Sequence, residues 1–305
     1  MRGKILLIRG GAIGDFVLTL PALAALRQQF PEAHLEVLGY PHIAQLAMAG
    51  GLVDKVQSIE ARALAGFFAI RGELDQDLMD YFSEFDLIVS YLYDPDEIFR
   101  KNVARCTTAQ FLACPHRPDE TKPIPASEVF LKPLERLCIF GADPVPRLAL
   151  SEESSQANQL ALHPGSGSER KNWPEQQWAA LLAKLIQETP HHLLLVGGEA
   201  EGDRLLRLAD AVPADRITVA QSVPLPELAT LLRGSIGFVG HDSGISHLAA
   251  ALEIPCVLLW GESAAAIWKP PSDTVRLVRH AGGLQELPVE EVFTSILRLP
   301  GVIQS

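Results

Sequence analysis

Short apolar runs alternate with longer amphipathic segments along the first half of the chain. Four runs rich in Ile, Leu and Val have the length of buried strands, and they lie at residues 4–9, 34–38, 55–59 and 86–90. The segment 16–29 places Val17, Leu20, Leu23 and Ala24 at the spacing of one helix face. Strands separated by helices of this length predict βαβ units and a parallel sheet.

A second series of the same kind follows a proline-rich stretch. Its apolar runs predict strands at residues 159–162, 192–196, 217–219, 236–239 and 256–259. Between the two series, the runs 141–146 and 151–155 have the composition of an interdomain linker. We therefore predict an α/β protein of two doubly wound, Rossmann-like domains, 1–150 and 151–305, whose C-terminal helix can pack back on the first domain.

Composition and charge narrow the range of partners and compartments. The formal net charge of −11 over 305 residues argues against a nucleic-acid partner, although Arg170 and Lys171 leave room for a local basic site. The four cysteines contain no CxxC pair, so neither a zinc site nor a disulfide framework is indicated. The N-terminal apolar run is too short for a signal peptide, and no apolar stretch is long enough to span a membrane. We expect a cytoplasmic protein with at most peripheral contact with the inner membrane face.

The first of three polar, glycine-rich loops is GGAIGD at residues 10–15, hereafter the first loop. Its glycines do not form a GxGxxG motif, and the following strand does not end in an acidic ribose ligand, so an NAD site is not favoured. Asp15 has two interpretations that the sequence leaves open. It can cap the helix that follows, or its carboxylate can accept a proton from an attacking hydroxyl group.

The second loop, HPGSGSERKNW at residues 163–173, combines small residues, hydroxyl groups and a lysine just before a predicted helix. These features are typical of a phosphate site, although a solvated polar turn would have a similar composition. The spacing is not that of a Walker A loop.

The third loop is GHDSGISH at residues 240–247. The Ser243 hydroxyl and the backbone N–H groups at the start of the next helix can bind an anion, and His247 lies one turn further along. The Asp-Ser-Gly sequence also occurs in serine hydrolases, but there is no Gly-x-Ser-x-Gly elbow, and His247 is too close to Ser243 for a triad. The three loops together predict that the second domain holds an activated donor, the first presents the acceptor, and the reaction occurs in the cleft between them.

At these loops the chain resembles glycosyltransferase family 9, the ADP-heptose:lipopolysaccharide heptosyltransferases, which adopt the GT-B fold. The resemblance rests on IRGGAIGD with TLPAL after it, on HPGS with KNWP, and on DSGISHLAAA, in the family's order. It departs from the family at residues 261–265, where GESAA replaces a Gly-Pro-Thr-x-Pro pattern, at His241, and at Gly11.

The resemblance implies a role for each residue that matches the family's motifs. Asp15 would be the general base, with Gly11 and Gly14 shaping the acceptor-side loop, and Lys171 would neutralise phosphate charge during catalysis. The donor-binding set would comprise Ser166, Gly167, Lys171, Glu201, Asp242, Ser243, Gly244 and His247, with Glu201 on the ribose. Family members invert the anomeric centre and require no metal or other cofactor besides the nucleotide-sugar co-substrate.

The sequence therefore predicts an inverting glycosyltransferase that moves a sugar, heptose from ADP-heptose, to a lipopolysaccharide-core or related glycan acceptor, lipid-linked or free. Two alternatives stay open: a non-catalytic nucleotide-sugar binding protein, and a member of the same family that uses another nucleotide sugar. An epimerase or oxidoreductase is not favoured because no tyrosine is followed by a lysine four residues later. The Asp94-Pro95-Asp96 sequence imitates a DxD metal motif, but we interpret it as a loop.

Overall fold

The computed structural model describes residues 3–150 and 158–302. The chain divides into two compact units, Met1–Pro144 and Val145–Ser305, and the division falls inside the proline-containing run 141–146. The other part of the predicted linker, 151–155, lies outside the described residues. Each unit contains one parallel sheet flanked by helices, in agreement with the predicted α/β class.

The first unit is built on a five-stranded parallel sheet. Its strands are β1 (Lys4–Arg9), β2 (His34–Gly39), β3 (Lys55–Ser58), β4 (Leu87–Ser90) and β5 (Gln110–Ala113), in the spatial order β3-β2-β1-β4-β5. The central strand β1 pairs in parallel with β2 on one side and β4 on the other, and its apolar residues are buried. A central strand buried on both faces explains the continuous apolar run that predicted it.

Six α-helices accompany this sheet: α1 (Ile13–Val17), α2 (Leu20–Gln29), α3 (Pro41–Ala49), α4 (Gln76–Ser83), α5 (Ile98–Val103) and α6 (Ala126–Leu131). The prediction of one helix over 16–29 is wrong, because α1 ends at Val17 and α2 begins at Leu20. Pro21 has no N–H group, and its ring would clash with the carbonyl group of Val17 in a continuous helix. The break places Asp15 inside the short helix α1.

The second unit is built on a six-stranded parallel sheet. Its strands are β6 (Gln159–Leu162), β7 (His192–Gly197), β8 (Ile217–Gln221), β9 (Ser235–His241), β10 (Cys256–Leu259) and β11 (Val275–Val278), in the order β11-β10-β9-β6-β7-β8. Read from β8, this is the strand order of nucleotide-binding Rossmann folds. Its helices are α7 (Glu175–Glu188), α8 (Arg204–Asp210), α9 (Leu225–Arg233), α10 (Gly244–Ala251), α11 (Ala265–Trp268) and α12 (Val289–Leu297).

The last helix, α12, buries Val292, Phe293 and Ile296 in the core of the second unit, where it packs against α7. Its apolar face therefore has its partner within the second unit. Across residues 3–150 and 158–302, none of the helices has both the length and the apolar character that crossing a membrane requires.

Two strands, β5 and β11, were not predicted from the sequence. Each has only four residues, lies at the edge of its sheet and is only partly buried. Arg276 interrupts the apolar pattern of β11, and Gln110 begins β5 on an exposed position. Segments this short and this mixed do not show the periodicity of a strand.

Candidate functional site

Both sheets have a point at which the strand order reverses. In the first unit it lies between β1 and β4, and in the second unit between β6 and β9. In open parallel sheets, ligands bind beyond the carboxyl ends of the strands at such a point. The first loop follows β1, the second loop follows β6 and the third loop begins with the last two residues of β9, so all three lie at the carboxyl end of a strand beside the reversal of their own sheet.

The first loop fixes the Asp15 carboxylate in one orientation. Asp15 is the third residue of α1, and its Oδ2 accepts a hydrogen bond from the Ala12 backbone N–H at 3.1 Å. The Asp15 side chain is 31% exposed to solvent. Gly11 has a φ of +102°, and a Cβ atom there would lie 2.9 Å from Asp15 Oδ2, so the loop requires glycine at this position. Gly14 lies beside Asp15 in α1.

A buried arginine, which the sequence analysis did not identify, lies beside Asp15. Arg9 ends β1 and is 2% exposed. Its Nη2 lies 3.8 Å from Asp15 Oδ1 and donates to the Asp15 backbone oxygen at 3.3 Å, and its Nη1 donates to the His116 backbone oxygen at 2.8 Å. Burial lowers the pKa of Arg9, while the Asp15 charge opposes that shift. The signal in the sequence was a charged residue at the end of an otherwise apolar strand.

The Arg9 guanidinium also contacts two aromatic rings. It lies 4.4 Å from the centre of the Phe130 ring and 5.6 Å from that of Tyr91. Such cation–π contacts stabilise a desolvated guanidinium. The carboxylate of Asp15 is therefore held by one backbone N–H group and faces a rigidly packed cation.

In the second unit, the second and third loops are joined by an ion pair between two predicted site residues. Lys171 Nζ lies 2.6 Å from Asp242 Oδ2, although 71 positions separate them in the chain. The Lys171 side chain is 46% exposed and that of Asp242 is 11% exposed. An ion pair this exposed contributes at most about 1 kcal/mol. An incoming polyanion can therefore displace Asp242 at low cost.

The remaining residues of the second loop form a compact hydrogen-bonded turn. Ser166 Oγ lies 2.6 Å from Asn172 Oδ1 and 2.9 Å from the Ser168 carbonyl oxygen. Gly167 is at the exposed tip between them. The buried Asn172, near the end of the second loop, thus holds the Ser166 side chain. This contact was not predicted from the sequence.

Glu201, which was predicted to bind the donor, lies against the same loop. Its Oε2 accepts a hydrogen bond from the Gly198 N–H at 2.6 Å, after the end of β7. A Cβ atom on Gly165 would overlap the Glu201 carboxylate, so the absence of a side chain at residue 165 is what lets Glu201 approach the second loop. Glu201 and the second loop are therefore close neighbours.

The third loop begins α10, and Ser243 is its N-cap. Ser243 Oγ accepts from the Ser246 N–H at 3.3 Å and lies 3.3 Å from His163 Nδ1. The hydroxyl that was predicted to face an anion is thus buried in the cap. The helix start at Gly244 supplies backbone N–H groups and the positive end of a helix dipole. His247 is buried one turn further along α10.

His241 organises the two loops, a role that the sequence analysis did not assign. It is fully buried, its Nε2 accepts from the Trp173 N–H at 2.8 Å, and its Nδ1 donates to the Gly165 carbonyl oxygen at 3.2 Å. Burial lowers the pKa of His241 to about 4, and burial together with His241 lowers that of His163 to about 3. Both imidazoles are therefore neutral at pH 7, which is the form that the His241 contacts require.

Asp94 of the Asp94-Pro95-Asp96 sequence has a structural role. Its carboxylate oxygens accept hydrogen bonds from the N–H groups of Phe99 and Arg100 at 3.1 and 3.0 Å, at the start of α5. This agrees with its interpretation as a loop. In the part of the chain that the structure describes, no group of three or more His, Cys, Asp or Glu side chains is arranged to hold a metal ion.

Comparisons with known proteins identify relatives of this chain. The family model described as glycosyltransferase family 9 (heptosyltransferase) matches residues 142–293. Lipopolysaccharide heptosyltransferase 3 of Escherichia coli K12 is 22% identical over 90% of this chain and 87% of its own length. The structure of the E. coli ADP-heptose lipopolysaccharide heptosyltransferase II has a TM-score of 0.78 at 18% identity, covering 97% of this chain and 98% of its own.

A second E. coli heptosyltransferase, solved with ADP-2-deoxy-2-fluoro heptose, has a TM-score of 0.75 at 20% identity and covers 96% of this chain and 98% of its own. These similarities extend over both units, and they confirm the GT-B class that was predicted from the sequence. The chain belongs to glycosyltransferase family 9 (heptosyltransferase).

Proposed function

We propose that this glycosyltransferase transfers heptose from ADP-heptose to a lipopolysaccharide-core or related glycan acceptor, with inversion at the anomeric carbon. The observation that carries the proposal is the convergence of Lys171, Asp242, Glu201 and the start of α10 at the strand-order reversal of the second sheet. This set offers a cation, backbone N–H groups and a carboxylate at the position where Rossmann-like folds bind nucleotides. Similar proteins solved with ADP and with ADP-2-deoxy-2-fluoro heptose support the choice of donor.

The second unit would bind the nucleotide diphosphate. In this proposal, Lys171 exchanges Asp242 for the pyrophosphate, and the N–H groups at Gly244 stabilise the charge that grows on the leaving diphosphate. A well-placed donor of this kind lowers a barrier by about 3 kcal/mol in comparable anion holes. The Glu201 carboxylate, already held through Oε2, would accept a hydrogen bond from a ribose hydroxyl through Oε1.

The first unit would supply the base. Asp15 accepts the proton of the acceptor hydroxyl as that oxygen bonds to the anomeric carbon and the bond to the diphosphate breaks, through an oxocarbenium-like transition state. Arg9 acts as a positioning residue, because its guanidinium holds the backbone of Asp15 and faces Oδ1. The proposed step needs no metal ion, since Lys171 and the helix N–H groups provide the positive charge.

An assay with purified components tests this proposal. ADP-heptose and lipopolysaccharide from an E. coli strain that lacks heptosyltransferase 3 should yield ADP and a glycan extended by one heptose, with inverted anomeric configuration by NMR. A thermal-shift panel of ADP, UDP, GDP, CDP and TDP gives an independent measurement, and ADP should raise the melting temperature most. A larger shift with another nucleotide would contradict ADP-heptose as donor.

The alternative function, a non-catalytic nucleotide-sugar binding protein, predicts a different pattern. It retains the ADP-dependent thermal shift but produces no extended glycan and no ADP. The position of the Asp15 carboxylate favours an enzyme, because donor binding alone needs no partly exposed carboxylate at the reversal point of the first sheet. We further propose peripheral association with the cytoplasmic membrane face, where a lipid-linked acceptor is available.

A further inference from the structure

Two exposed rings contact each other at the carboxyl edge of the first sheet. Tyr93 follows β4 and His116 follows β5, and their ring centres are 4.6 Å apart with an angle of 59° between the planes. Tyr93 is 71% exposed, and His116 is also exposed. A single exposed aromatic side chain is unremarkable on a protein surface. Here two rings form one surface, at the end of the sheet where parallel folds bind ligands.

Arg9 places this ring pair close to Asp15. One guanidinium group donates to the His116 carbonyl oxygen at 2.8 Å through Nη1 and to the Asp15 carbonyl oxygen at 3.3 Å through Nη2. A guanidinium is rigid and planar, so the two residues are separated by no more than that group and two hydrogen bonds. The backbone segments that carry His116 and Asp15 are therefore neighbours in the first unit.

The backbone beneath Tyr93 is also held in place. The next residue, Asp94, accepts hydrogen bonds from two backbone N–H groups of α5, and the Tyr91 hydroxyl donates to the Phe130 carbonyl oxygen at 2.6 Å. The segment that presents Tyr93 is thus anchored on both sides, although the ring itself is exposed. An aromatic residue on an anchored backbone segment binds a ligand at a lower entropic cost than one on a mobile loop.

We propose that Tyr93 and His116 form a binding platform for the sugar ring of the acceptor, next to Asp15. Sugar rings present C–H groups on one face and hydroxyl groups around the edge. The C–H face would pack on the Tyr93 ring, while the His116 imidazole exchanges a hydrogen bond with an edge hydroxyl. This inference rests on the proposed function, because it requires a glycan acceptor whose hydroxyl reaches Asp15.

Steady-state kinetics with ADP-heptose and the lipopolysaccharide acceptor test the platform. Tyr93→Ala and His116→Ala should each raise the acceptor KM by about five- to tenfold, the range expected from losing one aromatic contact. The donor KM and the slow hydrolysis of ADP-heptose without acceptor should stay at wild-type values. Tyr93→Phe, which retains the ring, should behave like the wild type, and Phe140→Ala removes another exposed ring of the first unit as a matched control.

A binding measurement separates failure of the platform from failure of the proposed function. In the full-length protein with ¹³C-labelled histidine, delipidated core oligosaccharide from the same lipopolysaccharide should shift the His116 ring signals, and Tyr93→Ala should weaken that titration. Active wild-type enzyme with unchanged acceptor KM in both alanine variants would overturn the platform and leave the transferase intact. Shifted His116 signals without any glycosyl transfer would retain the platform as a glycan site and overturn the proposed function.

Discussion

The two strand-order reversals share a topology but have opposite electrostatic designs. At the first, a permanent cation, Arg9, is buried and a carboxylate, Asp15, is partly exposed above it. At the second, the buried groups are the neutral imidazoles of His163 and His241, and the cation, Lys171, is on the surface. The comparison shows how one topology can place an exposed carboxylate at one reversal and an exposed cation at the other, as the proposed base and the proposed anion site require.

The largest effect should come from removing the carboxylate of the first reversal. Asp15→Asn keeps the shape of the side chain but removes its basicity, so kcat should fall at least about 100-fold. ADP affinity, measured by calorimetry, should remain at the wild-type value because the proposed nucleotide contacts lie in the second unit. Near-normal kcat in this variant would exclude Asp15 as the base.

Removing the surface cation of the second reversal should have the converse effect. Lys171→Ala should weaken ADP binding by about 10- to 100-fold, the range of a charge-assisted hydrogen bond to phosphate. Lys132→Ala, which removes a lysine of the first unit that pairs with Glu135, is the control. If both variants bind ADP with equal affinity, Lys171 does not contact the diphosphate.

The buried imidazoles predict an acid-sensitive second unit. The pKa of His241 is about 4 in the folded protein and near 6.5 when unfolded, so the unfolded chain binds more protons between these pH values. Stability should therefore decrease as the pH falls through this window, by up to about 1.4 kcal/mol per pH unit for each such histidine.

His241→Asn tests this expectation, because asparagine can hydrogen-bond but does not titrate. Its stability deficit relative to the wild type, measured by urea unfolding, should be smaller at pH 5 than at pH 7.5. A deficit that does not change with pH would show that His241 does not titrate on unfolding.

A smaller effect is expected from altering the buried cation of the first reversal. Arg9→Lys keeps the charge, but an ammonium group cannot contact both the His116 and Asp15 carbonyl oxygens as the planar guanidinium group does. We expect kcat to fall about tenfold through misplacement of Asp15, with little change in donor KM. A wild-type kcat would indicate that Arg9 does not position the base.

The smallest effect should come from Asp242→Asn, measured as a change in unfolding free energy without ligand. The exposed pair with Lys171 contributes no more than about 1 kcal/mol, so the thermal transition should move by only a few degrees. A much larger destabilisation would show that this ion pair stabilises the fold and is not readily displaced by a ligand.

The sequence predicted those parts of the fold that depend on local pattern. Buried strands such as β1, β6 and β10 contain uninterrupted apolar runs, and their bounds agree with the prediction. The four-residue edge strands β5 and β11 lack such a pattern, and the break between α1 and α2 depends on one proline whose effect was underestimated.

The site was predicted less completely, because its contacts join distant parts of the chain. The proximity of Lys171 to Asp242, and of Glu201 to Gly165, results from the sheet order rather than from any local motif. Arg9 was counted within a strand, and His241 was noted only as a departure from the family's pattern. The chemistry of a buried side chain depends on which groups surround it, and only the folded structure supplies that information.

The ion pair between Lys171 and Asp242 has a consequence for selectivity in a crowded cell. Free phosphate, chloride and carboxylate metabolites are abundant, and an unoccupied lysine would attract all of them. With Asp242 as an internal competitor, a small anion gains little by replacing a carboxylate that is already 2.6 Å from Lys171. A ligand that also engages the helix start and Glu201 would gain several contacts at once, so under the proposed function we expect the pair to favour nucleotide ligands over simple salts.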